Sequence, residues 1–169
     1  MNTIYLCGFM GCGKSTVGRV LSDMLGCAFT DMDTYIEQTE NMSIPQIFAE
    51  KGETYFRDAE TAAVEALGSK GGVIACGGGA MLRQKNAEIA LRYGNVVYID
   101  TSFEDCWVRI EGDTNRPVVM ANTKQSLETL YNERARLYAA HSSVKAEGTG
   151  APEEIAEKIR KAVMQSAEI

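Results

Sequence analysis

A glycine-rich segment, "GFMGCGKS", occupies residues 8–15 directly after an apolar stretch. It satisfies the pattern G-x-x-x-x-G-K-[ST], in which glycines let backbone N–H groups close around phosphate oxygens. In that pattern Lys14 would reach the β- and γ-phosphates, and the Ser15 hydroxyl would face Mg²⁺ at a helix N-terminus. We therefore expect a nucleoside triphosphate to bind here, with contacts from Gly11, Cys12, Gly13, Lys14, Ser15 and Thr16.

Cys12 lies inside this phosphate-binding segment. The surrounding N–H groups and the ammonium of Lys14 would favour its thiolate form. We predict that Cys12 is a reactive thiol that bound nucleotide masks.

Two carboxylates end the second apolar stretch, in "TDMDTYIEQ". Asp31 and Asp33 are two residues apart, and in extended backbone such residues face the same way. One of them could hold the metal while the other orients an acceptor hydroxyl. A second interpretation of Asp33 is that it caps the helix that "TYIEQ" begins.

A third apolar stretch, in "GGVIACGGGAM", stops at Gly77, Gly78 and Gly79. One glycine would be enough for a turn. Three in succession predict that something lies directly against the backbone.

Three arginines could complete an anion site. Arg57 and Glu60 are three residues apart on a predicted helix and share a face, although a simple surface ion pair fits the same spacing. Arg116 lies in "EGDTNRPVVMANT", a polar loop over residues 111–123 that is typical of a mobile lid. Arg134 belongs to a later helix, where the pattern is equally compatible with a solvated side chain.

The elements that must position these residues alternate along the chain. Apolar stretches predict strands at residues 3–7, 28–31, 73–76, 96–99 and 144–147, and helical periodicity fills the intervals and the segment after Pro152. Continuously apolar strands are typical of sheets covered on both faces. We predict an α/β sandwich with a largely parallel sheet, whose ligands bind beyond the carboxyl ends of the strands.

Length and charge restrict the possibilities further. The 169 residues suffice for one domain over 1–169, and no apolar stretch approaches a membrane span. A formal net charge of −6, from 17 basic and 23 acidic residues, argues against a nucleic-acid surface. We also expect a monomer, because no exposed apolar stripe is left unexplained.

The cysteine and histidine content indicates neither disulfides nor a zinc site. The five cysteines include no C-x-x-C pair, and His141 has no second histidine to share a metal with, so we expect His141 to be solvated. The first ten residues lack the basic region of a signal peptide, and we expect a cytoplasmic protein.

Taken in order and approximate spacing, these motifs resemble the shikimate kinase family. The resemblance covers about residues 4–140, and the last helix fits as well. It is carried by "GFMGCGKS", "DMD", "IFAEKGETYFRDAE", "GGG", "NRP" and "ERARLY".

The resemblance implies a nucleoside-monophosphate-kinase-like fold, a three-layer sandwich with a five-stranded parallel sheet of strand order 2-3-1-4-5. It also implies transfer of the γ-phosphoryl group of ATP to the 3-hydroxyl of shikimate. A shikimate-binding region would span about residues 32–60, and the lid would span residues 111–123.

The resemblance also implies a role for each matched residue. Asp33 would contact the acceptor hydroxyls, Arg57 and Arg134 the substrate carboxylate, and Gly78 and Gly79 the substrate through their backbone. Lys14 and Arg116 would hold the transferring phosphates, Ser15 and Asp31 would hold Mg²⁺, and Arg109 would lie near adenine. The chain departs from the family pattern at Cys76, at Arg136 and in "AAHSS".

Two other interpretations remain open at this point. A kinase for gluconate or for a nucleoside monophosphate would share the phosphate-binding segment, although a glycine surface suits a ring better than an open chain. A nucleotide-dependent binding module without catalysis would lack a catalytic group, yet Lys14, Asp33 and Arg116 are all present.

Overall fold

A computed structural model describes residues 2–166 of the chain. Its centre is a five-stranded sheet in which every neighbouring pair is parallel, with order β2-β3-β1-β4-β5. The predicted strand order is therefore confirmed. The strands are β1 (Thr3–Cys7), β2 (Phe29–Asp31), β3 (Val73–Ala75), β4 (Gly94–Asp100) and β5 (Val144–Glu147).

Helices connect successive strands and cover both faces of the sheet. Among the described residues α1 and α8 pack together beside β3 and β5, whereas α3, α4 and α7 contact β1 and β4. No helix within residues 2–166 combines the length and hydropathy needed to cross a membrane. The helices are α1 (Lys14–Leu25), α2 (Met32–Glu40), α3 (Ile44–Lys70), α4 (Gln84–Tyr93), α5 (Phe103–Ile110), α6 (Pro117–Met120), α7 (Lys124–His141) and α8 (Pro152–Ser166), with a 3₁₀ turn at Ala80–Leu82.

The core consists of the three central strands and the helix faces that cover them. Every residue of β1 and β3 is buried, as the continuously apolar sequences predict. β4 is longer than predicted and begins at Gly94, which pairs with Thr3 of β1 so closely that a Cβ on Gly94 would collide with the Thr3 backbone. This close approach lets the strand start two residues before its first apolar side chain.

The carboxyl ends of three adjacent strands position the site. In the sheet register Ala75 of β3 is paired with both Leu6 of β1 and Asp31 of β2. The phosphate-binding segment, the acidic pair and the three glycines therefore leave the sheet side by side. This is the edge at which parallel α/β sheets bind their ligands.

One break interrupts the longest helix. Gly52 adopts φ 85° and ψ 171° inside α3, where a side chain would meet no neighbouring atom within 4 Å. Positive φ is unfavourable for other residue types, so the glycine is required by the bend itself. The bend separates the first two turns of α3 from the part that carries Arg57 and Glu60.

Candidate active site

The segment from Gly8 to Ser15 has the conformation of a phosphate-binding loop. Gly8, Gly11 and Gly13 all have positive φ values, between 81° and 150°. α1 begins at Lys14 without a side-chain cap, which leaves its first N–H groups available to an anion. Lys14 Nζ lies 2.7 Å from the carbonyl oxygen of Gly8, so the ammonium crosses the mouth of the loop.

The structure contradicts the prediction of a reactive Cys12 thiol. The side chain is only 1% exposed, and a Cβ on Gly8 would lie 2.7 Å from its Sγ. Its Sγ is 3.7 Å from Lys14 Nζ, as the loop sequence suggested, but the protein itself already shields it. The Cys12 N–H donates to the carbonyl of Phe9, which closes the loop internally.

Ser15 and Asp31 form a pair suited to Mg²⁺. Ser15 Oγ donates to Asp31 Oδ2 at 3.0 Å, across the gap between α1 and β2. A hydroxyl and one carboxylate, completed by phosphate oxygens and waters, form a coordination set that Mg²⁺ commonly adopts. Within residues 2–166 no group of three or more ligating His, Cys, Asp or Glu residues occurs.

Asp31, and not Asp33, caps α2. Asp31 Oδ1 accepts the N–H of Thr34 at 3.1 Å, while its other oxygen faces Ser15. β2 ends at Asp31, and Asp33 lies in the first turn of α2. The prediction that Asp31 and Asp33 face the same way along an extended strand was therefore wrong. The side chain of Asp33 still reaches the same cleft.

Asp33 is held in an environment that disfavours its charge. Burial, followed by the neighbouring carboxylates of Asp31 and Glu60, raises the pKa of Asp33 to about 6, with Lys14 opposing the shift. This carboxyl group therefore titrates closer to neutrality than an ordinary aspartate. Perturbed groups of this kind are concentrated at functional sites.

Arg57 is fixed by a buried acid. Its Nη1 lies 2.7 Å from Glu60 Oε2, and Glu53 approaches Nη2 at 3.5 Å. The Glu60 side chain is 1% exposed, so the pair is not the simple surface ion pair that the spacing left open. No functional role was predicted for Glu60 from the sequence. Its i, i+3 spacing from Arg57 was the available signal.

The three glycines, called the glycine shelf below, make room for functional side chains. None of Gly77, Gly78 and Gly79 has positive φ, so no turn requires them. A Cβ on Gly77 would lie 2.6 Å from Asp33 Oδ1, one on Gly78 would lie 3.5 Å from Arg134 Nη1, and one on Gly79 would collide with the guanidinium of Arg57. The shelf is therefore where the predicted acceptor-side residues meet.

A cleft of about 340 Å³ joins the shelf to the phosphate-binding loop, and Arg116 lines it together with Asp31, Asp33 and Gly78. Arg116 Nε also donates to Asp113 at 2.9 Å within the lid. The cleft therefore brings Arg116 together with Lys14, the other residue predicted to hold the transferring phosphates.

Arg109 is absent from the residues that line this cleft. It lies on α5, where Nη1 donates to the carbonyl of Gly11 at 2.8 Å.

The departures at the end of β3 and in α7 have local explanations. Cys76 is buried, and burial raises the pKa of its thiol well above the usual range, so it stays neutral. Arg136 is exposed on an α7 that continues unbroken. The prediction of a solvated His141 was wrong, because its Nδ1 lies 2.7 Å from the carbonyl oxygen of Met81.

A phosphate-binding loop follows β1, a metal-compatible pair lies beside it, Arg116 lines the cleft, and Arg57 and Arg134 lie beside Gly79 and Gly78. This arrangement defines a P-loop kinase of small molecules. The comparisons with known proteins identify the branch of that class. The family model described as shikimate kinase matches residues 10–164, so the chain belongs to the shikimate kinase family.

Individual relatives agree with this assignment. A shikimate kinase of Persephonella marina is 44% identical over 140 residues, which cover 82% of this chain and 85% of that protein. The solved structure of the shikimate kinase from Acinetobacter baumannii in complex with shikimate has a TM-score of 0.89 and 38% identity, and covers 98% of this chain and 94% of that one. A gluconokinase from Sinorhizobium meliloti has a TM-score of 0.63 but 17% identity, with 99% and 94% coverage, and shares the fold alone.

Proposed function

We propose that this protein transfers the γ-phosphoryl group of ATP to the 3-hydroxyl of shikimate. The observation that carries the proposal is the convergence of Asp33, Arg57 and Arg134 on the glycine shelf. A carboxylate and two guanidinium groups around a surface without side chains suit a flat ring that carries both hydroxyl groups and an acid group.

The two guanidinium groups are the proposed site of the shikimate carboxylate. The pair with Glu60 holds Arg57 in place before the substrate arrives, so less side-chain entropy is lost on binding. A hydrogen bond to a charged group contributes about 1.5–3 kcal/mol. Two such anchors would orient the ring so that one hydroxyl faces the phosphate-binding loop.

Asp33 is the proposed partner of the acceptor hydroxyl. Phosphoryl transfer passes through a loose transition state, so the hydroxyl proton leaves late and a strong base is not required. Asp33 would therefore act mainly by orienting the hydroxyl and would accept its proton at the end of the step. Its raised pKa makes it a better proton acceptor than an ordinary aspartate.

The charge that develops on the transferring phosphoryl group would face Lys14 and Arg116. Both line the cleft, Lys14 from the loop and Arg116 from the lid. Fixed cations directed at developing charge supply much of the acceleration in such enzymes. Mg²⁺, held by Ser15 and Asp31, would offset further phosphate charge when bound. Lid closure would exclude water, which could otherwise accept the phosphoryl group.

The remaining contacts complete the nucleotide site. Gly11, Gly13, Ser15 and Thr16 would contact the phosphates through the loop and the start of α1, and Cys12 through its backbone alone. Arg109 would contact the adenine from the outer side of the loop. A cytoplasmic location and a monomeric state stay predictions.

The experiment that tests the function compares acceptors side by side. Purified protein with ATP and Mg²⁺ is offered shikimate, gluconate or AMP, and ADP release is followed. We expect turnover with shikimate and background rates with the other two. A higher kcat/KM for gluconate or AMP would overturn the proposal, and no transfer to any acceptor would favour a binding module.

A further inference from the structure

The five backbone carbonyls from Gly77 to Met81 all accept hydrogen bonds from within the protein. Two of them accept main-chain N–H groups, Gly77 from Ala80 at 3.1 Å and Gly79 from Leu82 at 3.2 Å. Side chains hold the other three. The donors are Tyr138 Oη to Gly78 at 2.5 Å, Asn86 Nδ2 to Ala80 at 2.8 Å and His141 Nδ1 to Met81 at 2.7 Å.

The N–H groups of the shelf are in the opposite situation. Those of Gly77, Gly78 and Gly79 donate to no acceptor in the part of the chain that the structure describes. Gly77 and Gly78 also line the cleft. Gly79 lies beside the guanidinium of Arg57. The shelf thus has N–H donors without a protein partner, whereas its carbonyl acceptors are used within the protein, which suits a ligand rich in oxygen atoms.

A planar peptide bond connects these two facts. The carbonyl of Gly78 and the N–H of Gly79 belong to one peptide unit, in which they point in opposite directions. A donor that fixes the carbonyl therefore also fixes the direction of the N–H. Gly78 has no side chain to resist rotation of this unit, so an external anchor is needed.

We propose that Tyr138 is a positioning residue for the acceptor substrate, and that its hydroxyl sets the direction in which the Gly79 N–H is presented to shikimate. The inference deepens the proposed function and rests on it. Tyr138 would not touch the substrate. It would act through the Gly78–Gly79 peptide. Its hydroxyl also interacts with the guanidinium of Arg134, which opposes the rise that burial causes in the pKa of Tyr138.

The surroundings of Tyr138 fit an anchor. The residue is 1% exposed, and its ring packs against Tyr98 with 5.6 Å between ring centroids, which restricts its rotation. Burial raises the pKa of Tyr138 above its usual range, so the hydroxyl stays protonated and remains a donor. Arg134 is one helical turn earlier on α7, so this helix would align the shelf and the carboxylate anchor together.

Tyr138→Phe tests the inference, because it removes one oxygen and retains the ring. Shikimate binding is measured by calorimetry without nucleotide, and steady-state kinetics give KM for both substrates. We expect the Kd and KM for shikimate to rise about five- to fiftyfold, the range for a lost hydrogen bond and an unpaired buried carbonyl. The KM for ATP is expected to stay unchanged, which also shows that the variant is folded.

Tyr5→Phe is the matched control. Tyr5 is also a buried tyrosine whose hydroxyl donates to a main-chain carbonyl, that of Val64 on α3 at 2.8 Å, but it is not among the residues that line the cleft. A purely structural effect would lower the unfolding temperature of both variants and leave shikimate binding alike in both. We expect weaker shikimate binding in the Tyr138 variant only.

Two results would overturn the inference. Tyr138→Phe could bind shikimate as tightly as the parent, or both phenylalanine variants could lose affinity equally. Neither result would affect the proposed function, which depends only on whether the parent protein phosphorylates shikimate. If the parent itself does not phosphorylate shikimate, the proposed function fails and the role of Tyr138 fails with it.

Discussion

Asp33 has a pH signature that kinetics can detect. Its pKa is raised to about 6 by burial and by the carboxylates of Asp31 and Glu60, and the proposed role requires the ionised form. We expect kcat/KM for shikimate to be constant at alkaline pH and to fall as the pH drops below about 6. We also expect Asp33→Asn to lower kcat by about a hundredfold or more. A kcat within about threefold of the parent would exclude both orientation and proton acceptance by Asp33.

Ionisation of Asp33, which the proposed activity requires, lowers the free energy of unfolding. The pKa of Asp33 is about 6 in the folded state and the ordinary 3.8 in the unfolded state. The stabilisation from protonated Asp33 is therefore fully present below pH 3.8 and is lost as the pH rises through about 6. Above pH 6 the charged Asp33 costs up to about 3 kcal/mol. Asp33→Asn should therefore raise the unfolding temperature at pH 8 but not at pH 4. Equal unfolding temperatures at pH 8 would show that the buried charge has no cost.

Arg134 and Arg136 give a matched pair on one helix. Arg134 lies against Gly78, whereas Arg136 is exposed and joins no salt bridge within residues 2–166. We expect Arg134→Ala to raise the KM for shikimate roughly ten- to a hundredfold, because it removes a charged hydrogen bond. Arg136→Ala should leave this KM unchanged. Similar KM values in parent and Arg134→Ala would remove Arg134 from the site.

At the scale of single residues, the sequence predicts side chains that a fixed motif places, but not the roles that depend on burial. Lys14 and Ser15 were placed by the loop pattern alone. Spacing alone could not separate the functions of Asp31 and Asp33, because the choice of cap depends on the residue at which β2 ends. Only the family resemblance assigned them different roles. Glu60 and Tyr138 become informative only when three-dimensional packing shows that one is buried against Arg57 and the other against Gly78.

The glycine shelf is an element whose sequence is determined by space. A Cβ on Gly79 would displace the guanidinium of Arg57, which is held by Glu60. We expect Gly79→Ala to raise the KM for shikimate by at least about tenfold, comparable to the loss of a charged hydrogen bond, with the KM for ATP retained. An unchanged KM for shikimate in Gly79→Ala would show that Arg57 can move aside without loss.

The strands were predicted more accurately than the pieces around the cleft. β1 and β5 have the predicted bounds, because apolar periodicity and burial coincide there. The short helix α6 inside the lid and the 3₁₀ turn after the shelf have no periodic signal, since four and three residues complete about one turn. The strand order came from the family resemblance, because pairing between distant segments is not a local property of sequence.

At the scale of the molecule, single-domain and monomeric behaviour can be tested together. The large apolar side chains that are exposed include Met24, Leu91 and Met164, which lie on three separate helices. We expect one species of 18.4 kDa in sedimentation equilibrium and one cooperative unfolding transition. ATP with Mg²⁺ should raise the midpoint, because it binds only the folded state. A dimer mass, or two transitions, would contradict the respective prediction.

The two contacts of Asp31 predict that the binding of one substrate changes the affinity for the other. Oδ1 of this carboxylate caps the start of α2 by accepting the N–H of Thr34, and Oδ2 faces the Ser15 hydroxyl that would help hold the nucleotide's cation. A cation bound to Oδ2 would also restrict the movement of Oδ1, and with it the first turn of α2, which carries Asp33. Occupancy of the nucleotide side should thus tighten the sugar-acid side, and thermodynamic reciprocity requires an equal effect in return.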